Sequence, residues 1–257
     1  MNSMMRNTLA VASLLVLSAC NGAPQAVGAA DAANAPAAAE STQATPSVDA
    51  FKDFINEIRR FAGSAQVVMG DEAGDAVSLA VGDRIVTGFE QYPPRQLSLA
   101  DGSTIYWGWQ HGQAFVQSIA IRGTDGQLQL LGAVDDLPVL YSRRANRAIA
   151  DQQAYDAFLR ESAERGGKPA VALFIKDDNA LAAYYPLVAR WLQAAMLGFN
   201  ADCSDPAQGP TCAFVEQVSV PVEAYARDCA AADTVNACAL VVPDIPAADV
   251  PLESFKQ

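Results

Sequence analysis

Near residue 63 the spacing of apolar side chains changes from a period of about 3.6 to a period of about 2, and that change sets the fold class. Before it, Phe51, Phe54, Ile55, Ile58 and Ala62 share one face of the segment 48–62, while Lys52, Asp53, Glu57, Arg59 and Arg60 lie elsewhere. Ser47 stands at the N-cap position and Gly63 at the stop. After it, seven short stretches alternate or run apolar: 66–69, 76–81, 84–89, 96–100, 104–111, 114–121 and 127–134. Gly82-Asp83 suits a type II′ turn, and Asp101-Gly102 a type I′ turn with both residues at positive φ. Gly123-Thr124-Asp125-Gly126 makes a longer one. Two-residue turns force antiparallel neighbours, so this half is expected to be a β-meander.

The rest of the chain mixes the two periods. Segment 151–165 reads as a helix with Tyr155, Phe158, Leu159 and Ser162 on one side, ended by Gly166-Gly167. Segment 170–175 is a continuous apolar run of the kind that forms a strand buried on both faces. Asp178 or Asn179 caps a further helix that runs to Leu197, with Pro186 read as marking its true first turn. Pro186, Arg190 and Gln193 argue against a membrane span there and for a central buried helix. Segments 214–222 and 239–242 read as strands. The fold class expected is α+β, with an antiparallel meander, a mixed α/β C-terminal half and one core shared across 47–257.

Residues 8–17 form an apolar run too short to cross a bilayer, preceded by a polar start bearing Arg6. The run ends in Leu17-Ser18-Ala19-Cys20, which resembles the lipobox of bacterial lipoproteins. The resemblance implies removal of 1–19 as a signal peptide, a thioether-linked diacylglyceryl group on Cys20 and an acylated amino group, enough chains for stable anchoring. With Asn21 rather than Asp after the cysteine, it also implies the outer membrane, facing the periplasm. Residues 21–46 hold Ala, Pro, Gly, Gln, Ser and Thr with Val27 as the one large apolar residue, a composition expected to form a disordered linker.

The chain carries 29 acidic and 17 basic side chains, a net charge of −12. That balance argues against nucleic acid and against adhesion to anionic lipid, so the tether must do the holding. Cys203, Cys212, Cys229 and Cys238 remain beside Cys20, an even number that in an exported chain reads as two disulfides. Local pairing, Cys203–Cys212 and Cys229–Cys238, is favoured over crossed pairing, because both loops are rich in small residues, Pro or Gly. A Cys₄ zinc site lacks its short-spaced pairs.

The search for chemistry returns little. His111 is the single imidazole, no G-x-S-x-G or S-x-x-K occurs, Gly166-Gly167-Lys168-Pro169 fails the phosphate-loop pattern, and Asp71-Glu72-Ala73-Gly74-Asp75 lacks calcium-loop spacing. No catalytic residue, metal or cofactor is expected. Trp107, Trp109 and His111 alternate with Ile105 on one strand face, which either lines the core under the first helix or forms a stacking surface. Gly108 between the two Trp relieves crowding or admits a close neighbour. Arg143, Arg144 and Arg147 form the dense positive cluster of the sequence, a grip for an anion or a solvated face. The reading these features favour is a lipid-anchored envelope protein that binds a protein partner, with an inhibitor or immunity protein as a concrete form. A basic partner would be drawn to the acidic body. An envelope scaffold lipoprotein and a carbohydrate-active enzyme with a carboxylate pair near Trp107 and Trp109 are the alternatives.

Overall fold

In the computed structural model, residues 47–68, 78–90, 93–227 and 238–256 are described; Cys20, the linker and Cys229 lie outside them. Ser47 caps helix α1 (Val48–Ala62) by accepting from the Ala50 amide at 3.2 Å, and Gly63 ends it at φ 56°. Phe54, Ile58, Phe61 and Ala62 are its buried face. Strands β1 (Gln66–Val68) and β2 (Ser78–Ala80) pair as a small antiparallel sheet.

A seven-stranded mixed sheet forms the centre. Strands β3 (Arg95–Ser98), β4 (Thr104–Gln110), β5 (Gln113–Arg122) and β6 (Leu128–Asp135) are successive antiparallel neighbours, the expected meander. A short hairpin, β7 (Tyr141–Ser142) and β8 (Arg147–Ala148), leads to helix α3 (Gln152–Glu164), capped by Asp151. Strand β9 (Ala170–Ile175) pairs antiparallel with β6. Helices α4 (Asp178–Met196) and α5 (Gly209–Val215) carry the chain over to β10 (Val222–Ala226), which lies parallel to β9. The edge strand β11 (Ala239–Leu240) closes the order β11-β10-β9-β6-β5-β4-β3.

Strand alternation divides the interior into two cores. Ala120, Leu131, Ala133, Ala172, Phe174 and Tyr225 face α1 and α2. Ile119, Ile121, Leu130, Val134, Val171, Leu173 and Ile175 face α4, Phe199 and Phe255, the latter in a 3-10 turn at Leu252–Phe255. The meander and the C-terminal half therefore share both cores. Being covered on both faces is why β9 reads as an unbroken apolar run and why β6 is buried along nearly its whole length.

Several expected elements differ. Segment 84–89 is not a strand, and Gly82-Asp83 is not a turn. Both fall in helix α2 (Val81–Thr87) or its C-terminal end. Val81, Ile85 and Phe89 stand four apart, so a helix puts all three on the buried face, whereas alternation would part Val81 from Arg84. Segment 214–222 is not a strand: α5 starts at Gly209 with Pro210 in its first turn, a position that suits proline, and the strand begins at Val222. Helix α4 is capped by Asp177, and Pro186 sits inside it. The carbonyl that Pro186 leaves unbonded four residues back belongs to Ala182, whose exposure lets water take it. The β3–β4 turn is also not type I′: only Gly102, at φ 91°, is left-handed. The Gly102 amide donates to Leu99 O (3.0 Å) and the Asp101 carboxylate accepts from Ser103 N and Oγ, which holds Asp101 below the usual carboxylate range.

Among the described residues no helix is long and apolar enough to cross a membrane. Cys203 and Cys212 form a disulfide that ties the loop after α4 to α5. With nine residues of separation, closing that loop contributes about 2.5–3 kcal/mol in the chain-entropy account. Cys238 is disulfide-bonded, and its expected partner Cys229 lies outside the described residues.

Candidate functional site

The residues singled out in the sequence do not converge. Trp107 is 3% exposed and packs between Phe199 (6.1 Å) and Phe255 (5.7 Å), on the sheet face opposite α1. It is core, but not the core under the first helix; that place belongs to Tyr106, whose ring lies 4.8 Å from that of Phe54 and tilted by 39° to it. A two-tryptophan platform is therefore excluded. Trp109 is half-buried beneath the Arg95 guanidinium, 4.9 Å from the ring centroid. His111 is exposed at the β4–β5 tip, its amide donating to Glu90 Oε2 at 3.1 Å. Gly108 does admit a close neighbour. A Cβ there would stand 2.6 Å from the Gly88 carbonyl oxygen, so the end of α2 presses directly on the sheet.

The arginine cluster lies on the β7–β8 hairpin but points at separate partners. Arg143 donates to Tyr141 Oη and to Asn200 O, both at 3.4 Å, and the tyrosine bond holds its guanidinium more basic than usual. Arg147 is half-buried over the Phe158 ring at 4.6 Å, and burial lowers its pKa. Arg144 is exposed. Two different places collect chemistry instead.

The first is a groove of about 490 Å³ whose lining includes Leu79, Phe115, Val116, Thr87, Lys168 and Asp136. Phe115, on β5, is 51% exposed and Leu79, on β2, is 41% exposed, each several times more than an ordinary core residue. Beneath them Arg84 crosses from α2 to the sheet. Its guanidinium donates to Asp135 Oδ1 (2.6 Å), Gln117 O (3.1 Å), Val134 O (3.2 Å) and Ser118 Oγ (3.2 Å). Burial raises the Asp135 pKa and the arginine opposes that rise. Asp136 takes φ 50° and accepts from the Lys168 amide at 3.1 Å, which ties the end of β6 to the loop before β9. The groove is thus an apolar mouth on a rigid polar floor.

The second is a cleft of about 660 Å³ between α1 and one end of the sheet, lined among the described residues by Arg60, Arg122, Lys176 and Arg227 with one acid, Glu57. Sequence reading missed it because its cations are scattered along the chain. A signal was present: Ala120-Ile121-Arg122, Phe174-Ile175-Lys176 and Tyr225-Ala226-Arg227 each place a cation two residues beyond a side chain that faces α1. Period-2 alternation returns each cation to that same face.

Among the described residues, no group of three His, Cys, Asp or Glu is placed to hold a metal ion. No protein family, curated protein or solved structure matches the chain.

Proposed function

We propose that the chain is an exported, lipid-anchored envelope protein that acts by holding a protein partner in the groove marked by Phe115 and Leu79. The observation that carries this reading is the pairing of two large exposed apolar side chains from separate strands over a hydrogen-bonded floor. Exposed apolar anchors beside a rigid frame are what protein interfaces use as energetic centres. The net charge of −12 favours a basic partner and fast association at low salt. An inhibitor or immunity protein that masks a cationic enzyme fits this description. The Cys20 anchor and the linker behind it would hold the body near the bilayer while leaving it free to turn.

Two experiments test the reading. Capture from solubilised envelope at low salt should recover a partner with the wild-type chain, and Phe115→Asp should weaken recovery by about tenfold or more. A partner held equally by Phe115→Asp would remove the groove from the account. Metabolic labelling with a fatty-acid analogue should mark the wild type and not Cys20→Ser; label retained on that variant would refute the anchor.

A further inference from the structure

We infer that the cleft between α1 and the ends of β5, β6, β9 and β10 is a binding site for a small anion bearing phosphate groups, separate from the groove proposed to dock a protein. Register places its parts. Arg122 pairs with Leu128 across β5–β6, the Lys176 amide donates to Gln129 O at 3.0 Å, and Ala226 pairs with Ile175, so Lys176 and Arg227 end neighbouring parallel strands. Arg122 and Arg227 are thus three strand spacings apart, about 14 Å between main chains. Arg60 joins them from the last turn of α1, over an apolar wall of Phe61 and Leu128.

Two of the cations are held against aromatic rings. Arg122 lies over the rings of Phe54 (5.3 Å) and Tyr106 (5.5 Å), pairs with Glu57 and keeps a buried Nε without a hydrogen-bond partner. Arg227 lies 5.1 Å over the Phe61 ring. Among the described lining residues, four cations stand with the acid Glu57, a concentration of positive charge on a chain of net −12. A concave positive site focuses anions more than the same charges on a flat surface. Asp125, beside the cleft, is turned to its own loop, accepting from the Gln127 amide and the Gln129 side chain, with Lys176 nearby.

Geometry selects the ligand class. The cations are spread across several strand ends, so one carboxylate cannot meet them all. A phosphate or diphosphate group offers more charge and more acceptor oxygens, and guanidinium forks match it in pairs. The volume of about 660 Å³ leaves room for an organic body against Phe61 and Leu128 and falls in the small-ligand range of about 300–1,000 Å³.

The test is calorimetric titration of the full chain with inorganic pyrophosphate, with sulfate, and with a water-soluble short-chain phosphatidate. Pyrophosphate should bind, sulfate should bind much more weakly, and Arg122→Gln should weaken pyrophosphate by about tenfold or more. Arg60→Gln and Lys176→Gln remove charge without disturbing the Arg122 stack, so they report on binding even if Arg122→Gln folds poorly. Binding of phosphatidate alone, lost in the same variants, assigns the phosphate to a lipid headgroup. Binding of pyrophosphate alone assigns it to a soluble ligand. No binding of either, affinity equal to that of sulfate, or affinity unchanged in all three variants overturns the inference.

Discussion

An Arg84→Met chain should lose about 3–5 kcal/mol of stability at neutral pH, the cost of removing one partner from a buried charge pair. Arg84 has a side chain 5% exposed and Asp135 one 22% exposed, so neither partner can turn fully to water. Without the guanidinium, the Asp135 carboxylate, the carbonyls of Gln117 and Val134 and the Ser118 hydroxyl lose a shared donor together. The loss should depend on pH in a defined direction. Burial already raises the folded pKa of Asp135 above the ordinary 3.8. The variant should raise it further. An acid with a raised folded pKa binds more protons folded than unfolded, so its contribution to stability falls as pH rises through that window. The penalty of Arg84→Met should therefore shrink on acidification towards the ordinary carboxylate pKa and be largest near neutrality. Urea denaturation at pH 7 and pH 4.5 measures both values; equal penalties at the two would show that the charge pair is not the cause.

The other large effect is expected at Trp191. It is fully buried in α4 and stands 5.8 Å from Phe199. Phe199 itself sits at φ 54°, an uncommon conformation for an aromatic residue, and follows Gly198 at φ 63°. Its amide donates to Ala194 O at 3.0 Å, which turns the ring back into the core at the end of α4. Packing against Trp191 and Trp107 offsets the strain of that turn. Trp191→Ala should cost about 3–5 kcal/mol and lower the melting temperature by roughly 10 °C for a domain of this size. Trp191→Phe should cost less than half as much, because it keeps a ring against Phe199 and removes an indole N–H that is buried without a partner. If the two substitutions prove equally damaging, the cavity account fails.

Legibility in the sequence followed local physics. Helix α1 was marked by Ser47, a one-sided apolar face and Gly63, all acting within one segment. The meander was marked by alternation and short turns, and β9 by its unbroken apolar run. Helix α2 was not, since seven residues are too few to separate one period from the other and Gly82-Asp83 reads as a turn between two short apolar stretches. Trp107 was assigned the wrong face because alternation says that Trp107 and Tyr106 oppose each other but not which of them meets α1. The pairing of β6 with β9 and of β9 with β10 decided that, and both joins lie between residues far apart in the chain. The same joins build the cationic cleft, so no local window of sequence could show it.

That topology also orders assembly. The four meander strands are near neighbours in sequence and can zip up early, as hairpins do within microseconds. Strands β9 and β10 arrive by way of a long crossover, and α1 rests partly on Phe174 and Tyr225 from them. Helix α1 can settle on α2 and β6 early, but its seat is complete, and Glu57 and Arg60 meet Arg227, only once those later strands have closed the sheet.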